Sequence, residues 1–135
     1  MSYFEWGETY SVSVHDMDGQ HKKLFALISD YYDAIAQKKT KEANAAILAG
    51  LLDYTKYHFS DEEKLMLRYN YPGYREQKAD HDTFIATIQD YQQRIKEGKL
   101  LLSVEITGFL KDWLVKHIQV RDKEYGPFLN AKGVR

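Results

Sequence analysis

Apolar residues recur along this chain at spacings of three and four, the mark of one helical face, and they fall into four blocks. An aromatic-rich arm comes first, residues 1–17, with Tyr3, Phe4, Trp6 and Tyr10. The first stripe then runs Leu24, Phe25, Ile28, Tyr31, Tyr32 and Ile35. Asp18 is its expected N-cap, because a short acceptor side chain satisfies the free N–H groups of a first turn. Thr40 is placed to cap a second helix, striped by Ile47, Leu48, Leu51, Leu52, Thr55, Phe59, Leu65 and Met66. Asn70-Tyr71-Pro72-Gly73 breaks that helix. The third buries Phe84, Ile85, Ile88 and Ile95 and ends at Gly98. Ser103 is expected to cap the fourth, whose stripe is Ile106, Phe109, Leu110, Trp113, Leu114 and Ile118. Gly126-Pro127 is expected to stop it, leaving a tail over 126–135. Helices joined by short connections predict an all-α, up-down-up-down antiparallel four-helix bundle over 18–125, preceded by the arm. Residues 1–135 read as one domain with a sizeable core.

Polar residues interrupt these stripes at selected places. His21 lies one turn before Leu24; His58 and Glu62 share a face of the second helix; Gln77 and His81 lie on the third stripe; His117 lies on the fourth. The spacing of four between His58 and Glu62 puts them about 40° apart around the helix, so both point inward. An ionised carboxylate among leucines costs several kcal/mol unless it is paired or ligated. Asp122 follows His117 by five, about 140° on a regular helix. Either Asp122 is a surface charge beside Arg121 and Lys123, or it faces one centre with His117 across a loosened end or a π-type turn; a distortion is expected between them. Four histidines and two acids converging from four helices read as a metal centre rather than as a set of polar core contacts. Elsewhere, His15 sits off the pattern in the arm and is expected to be exposed. Asp61, Glu63 and Lys64 read as a solvated face from which only Glu62 turns inward, and Tyr69, Tyr71 and Tyr74 read as packing near the turn.

Composition narrows the chemistry. Without cysteine there is no thiolate zinc site, iron–sulfur cluster or disulfide. Imidazole with carboxylate suits iron, manganese, zinc, copper or nickel. Six ligands exceed one tetrahedral zinc and suit two octahedral-type ions bridged by two carboxylates. A donor set rich in neutral imidazole stabilises high-valent iron less than a carboxylate-rich one, which favours reversible binding of a small oxidant over hard oxidation. A net charge of -1 argues against nucleic acid or an anionic membrane as partner. There is no apolar run of transmembrane length and no signal-peptide pattern at the amino terminus, so a cytoplasmic protein is expected.

Several stretches resemble the bacteriohemerythrins, the single-domain bacterial hemerythrins: Asp18-Gly19-Gln20-His21, His58-Phe59-Ser60-Asp61-Glu62-Glu63, Tyr71-Pro72-Gly73-Tyr74, His81-Asp82 with Phe84, and Trp113-Leu114 with His117-Ile118. Trp6 and Tyr10-Ser11-Val12 match as well, so the likeness covers nearly the whole chain. The resemblance implies a non-heme diiron centre, oxo- or hydroxo-bridged, that binds dioxygen reversibly for carriage, storage, delivery or sensing. It implies that His81 and His117 ligate the first iron, His21 and His58 the second, and that Glu62 and Asp122 bridge them. Leu114 matches an apolar pocket residue, with Trp113 beside it.

One position departs from the family pattern. Where the family has a histidine four residues before His81, this chain has Gln77. An amide oxygen is a weaker iron ligand than imidazole, so Gln77 ligates weakly, water takes the place, or the first iron is labile. Weaker iron retention and a second exchangeable position are expected. The leading reading is therefore a dioxygen-binding protein rather than an enzyme, serving an oxygen-consuming partner. The second is a diiron enzyme acting on peroxide or nitric oxide at the altered iron. The third is a sensory module that docks on another chain.

Overall fold

The computed structural model describes residues 4–38, 40–98 and 103–135, with the side chains of 103 and 104 left aside. Five α-helical spans occur among the described residues: α1 (His15–Ala36), α2 (Lys41–Arg68), α3 (Tyr74–Lys96), α4 (Ser103–Lys116) and α5 (Lys123–Ala131). A π-helical turn, His117–Asp122, joins α4 to α5, so the three pieces make one long fourth helix. α1 packs on α2, α2 on α3, and α4 returns against α1. This is the expected antiparallel four-helix bundle. No helix among the described residues is long and apolar enough to cross a membrane.

The stripes form the core. Leu24, Phe25 and Ile28 of α1, Leu48, Leu51 and Phe59 of α2, Phe84 and Ile88 of α3, and Leu110, Leu114 and Ile118 of the fourth helix are all buried. Tyr32 departs from its stripe and is exposed. Thr40 caps α2 as expected, its hydroxyl accepting from Ala43 N–H at 3.1 Å. Asn70 and Gly98 take the left-handed backbone (φ 56° and 76°) just past the ends of α2 and α3.

Three boundaries differ from the sequence reading. First, Asp18 is not the cap of α1, which begins at His15 after the extended Val14. The Asp18 carboxylate accepts instead from Val12 N–H at 2.8 Å and Ser11 Oγ at 2.6 Å, fastening the arm to the first turn. Residues 15–17 thus belong to the helix, and His15 is its exposed first residue. Second, Ser103 is the first residue of α4, and the residue that would cap that helix lies outside the described residues. Third, Gly126-Pro127 does not end the fourth helix, which runs on to Ala131 with Pro127 inside it. Proline there removes the bond that a backbone N–H at 127 would make to the carbonyl of Lys123, near the start of α5.

Gly126 matters for a different reason. A Cβ at this position would run into the carbonyl oxygen of Val12, where the arm crosses α5. The arm is held along its length: Phe4 stacks on Phe25 with ring centroids 3.9 Å apart, its N–H donates to Ser29 Oγ, and Asn130 Nδ2 donates to Ser13 C=O at 2.9 Å. Tyr3 lies outside the described residues. Gly126→Ala should therefore lower stability by about 1–3 kcal/mol through overpacking. Gly50→Ala, where a Cβ meets nothing within 4 Å, should raise it by about 0.5–1 kcal/mol. Denaturant midpoints of the two variants would check this, and equal shifts would rule out the close approach.

Candidate metal centre

The inward polar residues meet at one level of the bundle. His21 comes from α1, His58 and Glu62 from α2, Gln77 and His81 from α3, and His117 and Asp122 from the two ends of the π-turn; all seven are at most 4 % exposed. The π-turn makes the last pair possible. Lys123 N–H bonds to the Ile118 carbonyl five residues back, and that wider turn carries Asp122 round to within 3.1 Å of His117 Nε2.

Two groups of potential ligand atoms result, and they share Glu62: His81, His117, Glu62 and Asp122 form one, and His21, His58 and Glu62 the other. Asp122 also spans both, with Oδ1 3.1 Å from His117 Nε2 and Oδ2 3.2 Å from His21 Nε2. Glu62 Oε1 lies 3.2 Å from His58 Nε2 and 3.3 Å from His81 Nε2, while Oε2 lies 3.4 Å from His21 Nε2. Each carboxylate therefore offers an oxygen to both sides.

The centre leaves lone pairs unsatisfied. Both His21 ring nitrogens, Glu62 Oε1, Gln77 Oε1 and Asp122 Oδ2 are buried and make no hydrogen bond. Buried polar atoms are rarely left so, and bound cations among them would satisfy His21 Nε2 and the unpartnered Glu62, Gln77 and Asp122 oxygens. The residues present thus fit a metal pair. Gln77 is 1 % exposed; its Nε2 donates to Asp122 Oδ1 at 2.9 Å and its Oε1 has no partner. Reversing the amide would set two acceptor oxygens against each other.

A ring of residues that the sequence reading left out orients these candidate ligands. His58 Nδ1 donates to Gln20 Oε1 at 2.6 Å, and Gln20 Nε2 in turn donates to Asp61. His81 Nδ1 donates to Glu63 Oε2 at 2.8 Å. Asp61 and Glu63 are consequently half-buried parts of the site's surround and not a plain solvated face. Asp80 takes the Arg121 Nε at 3.1 Å and faces His117 Nδ1 at 3.6 Å. Tyr125, buried in α5, donates its hydroxyl to Glu62 Oε2 at 2.6 Å. Partners of this kind fix the imidazole tautomer, leaving Nε2 free to face the centre. Their signal in sequence was faint: Glu63 and Asp80 merely flank ligand residues, and Tyr125 stands three after Asp122. Trp113 stacks on His117 (4.4 Å, 14°), and Leu114 is buried one turn earlier.

The matching family model, the hemerythrin HHE cation binding domain, spans residues 12–129. The chain belongs to the hemerythrin family. It is 33% identical over 132 residues to the bacteriohemerythrin of Methylococcus capsulatus, covering 97% of this chain and 100% of that protein. It is 31% identical over 124 residues to the myohemerythrin of Riftia pachyptila, covering 92% of each. The crystal structure of wild-type hemerythrin matches with a TM-score of 0.87 at 31% identity, over 93% of this chain and 97% of that one. Hemerythrins bind dioxygen at a centre of two iron ions, and the two overlapping ligand groups are where this chain could hold them.

Electrostatics of the metal-free centre follow from the same contacts. Burial opposes the charge on His21, but Asp122 and Glu62 on either side outweigh it and raise the imidazole pKa to about 10. Burial and the neighbouring Glu62 oppose the charge on Asp122, yet His117 and His21 bring its carboxyl down to about 2. Burial pushes His58 down. A protonated His21 thus clamps two carboxylates where a metal would otherwise sit. Because the folded state holds this proton more tightly than the unfolded one, its stabilisation is complete below pH 6.5 and is lost as pH rises towards about 10. The Asp122 contribution is present above pH 3.8 and is lost as pH falls towards about 2. Metal-free protein should therefore lose stability between pH 6.5 and 10, and metal-loaded protein should not, since a ligating imidazole is neutral. Urea midpoints across that range would show it; parallel curves for the two forms would refute the His21 clamp.

Proposed function

We propose that this chain binds dioxygen reversibly at a diiron centre in which the first iron lacks the family's third histidine. The observation that carries the reading is the sharing of Glu62 and Asp122 between the His81–His117 pair and the His21–His58 pair. In this reading His81 and His117 would hold the first iron, His21 and His58 the second, and Glu62 and Asp122 would serve both. Ferrous ions held there would supply the electrons for reversible dioxygen binding. The chain's own part is to position and to exclude. Gln20 and Glu63 hold His58 and His81 as neutral donors through their Nδ1–H groups. Tyr125 steadies Glu62 through its hydroxyl. Leu114, buried, and Trp113, stacked on His117, would supply an apolar wall to the ligand pocket. A cytoplasmic location and delivery to an oxygen-consuming partner complete the reading.

Gln77 supports a second reading, chemistry on peroxide or nitric oxide at an exchangeable first iron. Its amide replaces an imidazole, and its nitrogen is engaged with Asp122. Protein isolated without oxygen should contain two irons per chain and cycle between oxygenated and deoxygenated spectra without consuming oxygen. Gln77→His should slow iron loss to a chelator by about tenfold or more. Fewer than two irons, or irreversible oxidation on the first exposure, would overturn the carrier reading, and turnover of added peroxide would then favour the enzyme.

A further inference from the structure

We propose that the first metal position admits manganese(II) in competition with iron, because Gln77 completes it with a carbonyl oxygen. This rests on the two-metal reading above. Gln77 cannot retreat from the centre: its side chain is 1 % exposed and its nitrogen is tied to Asp122 Oδ1 at 2.9 Å. That bond decides which end of the amide remains. The free end is Oε1, buried and without any hydrogen bond. The oxygen shares a carbon with a nitrogen that touches Asp122, a member of the group formed with His81, His117 and Glu62. A bound cation is the partner that this oxygen lacks.

The donor sets of the two positions then differ. The first has five protein donors, His81, His117, Glu62, Asp122 and Gln77, of which two are imidazoles. The second has four, His21, His58, Glu62 and Asp122, of which two are imidazoles. Imidazole favours iron, whereas carboxylate, carbonyl and water suit manganese, which also accepts six oxygen-rich ligands readily. Iron(II) still binds more tightly than manganese(II) at most sites, but an oxygen in place of an imidazole narrows the gap. Manganese should therefore enter the first position more readily than it would with a histidine at position 77.

The test uses the full chain stripped of metal and exposed, without oxygen, to an equimolar mixture of iron(II) and manganese(II). Metal content and the manganese(II) electron paramagnetic resonance signal are read after the excess is removed. The native chain should hold two metals in total, with manganese in up to one. Gln77→His should cut the manganese share about tenfold while keeping two metals. Gln77→Leu, which removes the oxygen while keeping an apolar side chain of similar bulk, should lower manganese uptake as well. An equal manganese share in the native and Gln77→His chains overturns the proposal, as does full manganese uptake by Gln77→Leu. With iron alone, a native chain that takes up fewer than two ions sinks the two-metal reading itself, and this proposal with it. Two irons taken up alongside a manganese share indifferent to residue 77 would sink only the proposal.

Discussion

Two carboxylates buried at the centre of a helix bundle are the constraint on which the rest of this molecule turns. Glu62 and Asp122 are each about 1 % exposed, and neither could stay ionised there alone. Imidazoles drawn from every helix surround them, and their attraction outweighs burial enough to keep both carboxyls below their usual range. The helices must therefore stand in register, because a shift of one residue would turn a histidine away by about 100° and leave a buried charge unpaired. The polar centre sets the alignment, and the apolar stripes above and below it supply the burial that holds the bundle together.

The fourth helix pays for this arrangement with an irregularity. Its histidine and aspartate are five residues apart, so regular α-geometry cannot present both. The π-turn resolves the conflict, and it has consequences downstream. It leads into α5, from which Tyr125 reaches Glu62 and Gly126 lies against Val12. The arm that supplies Val12 is fastened in turn to α1 by Asp18, only three residues from His21. Metal-site geometry and arm docking are thus mechanically continuous through a few close contacts.

Gln77 places a tension within an otherwise consistent centre. The residue is long enough to enter it and polar enough to need partners there, yet it meets only half of its hydrogen-bonding demand within the protein. The surrounding ring behaves differently: Gln20, Glu63 and Tyr125 each have a defined bond to a ligand residue. The Gln77 oxygen shares its lack of a hydrogen bond with His21, Glu62 Oε1 and Asp122 Oδ2 at the heart of the centre.

Periodicity alone determined the bundle and the inward placement of the histidines and Glu62; it left Asp122 open between a surface charge and a residue turned inward by a distorted turn. These are local consequences of about 3.6 residues per turn and of the cost of burying charge. It misjudged Asp18 as a cap and Gly126-Pro127 as a stop because local propensity was outweighed by tertiary contacts: Asp18 fastens the arm, and Gly126 packs against the arm's Val12 while the helix runs on. It treated Glu63 and Asp61 as surface because their neighbours along the chain are charged, whereas their decisive neighbours, His81 and Gln20, lie on other helices. The pairing of ligand groups around shared carboxylates, the orientation of the Gln77 amide and the contact of Tyr125 with Glu62 required the tertiary structure, since each depends on which atoms of separate helices come within about 3 Å, and spacing along one chain does not encode that.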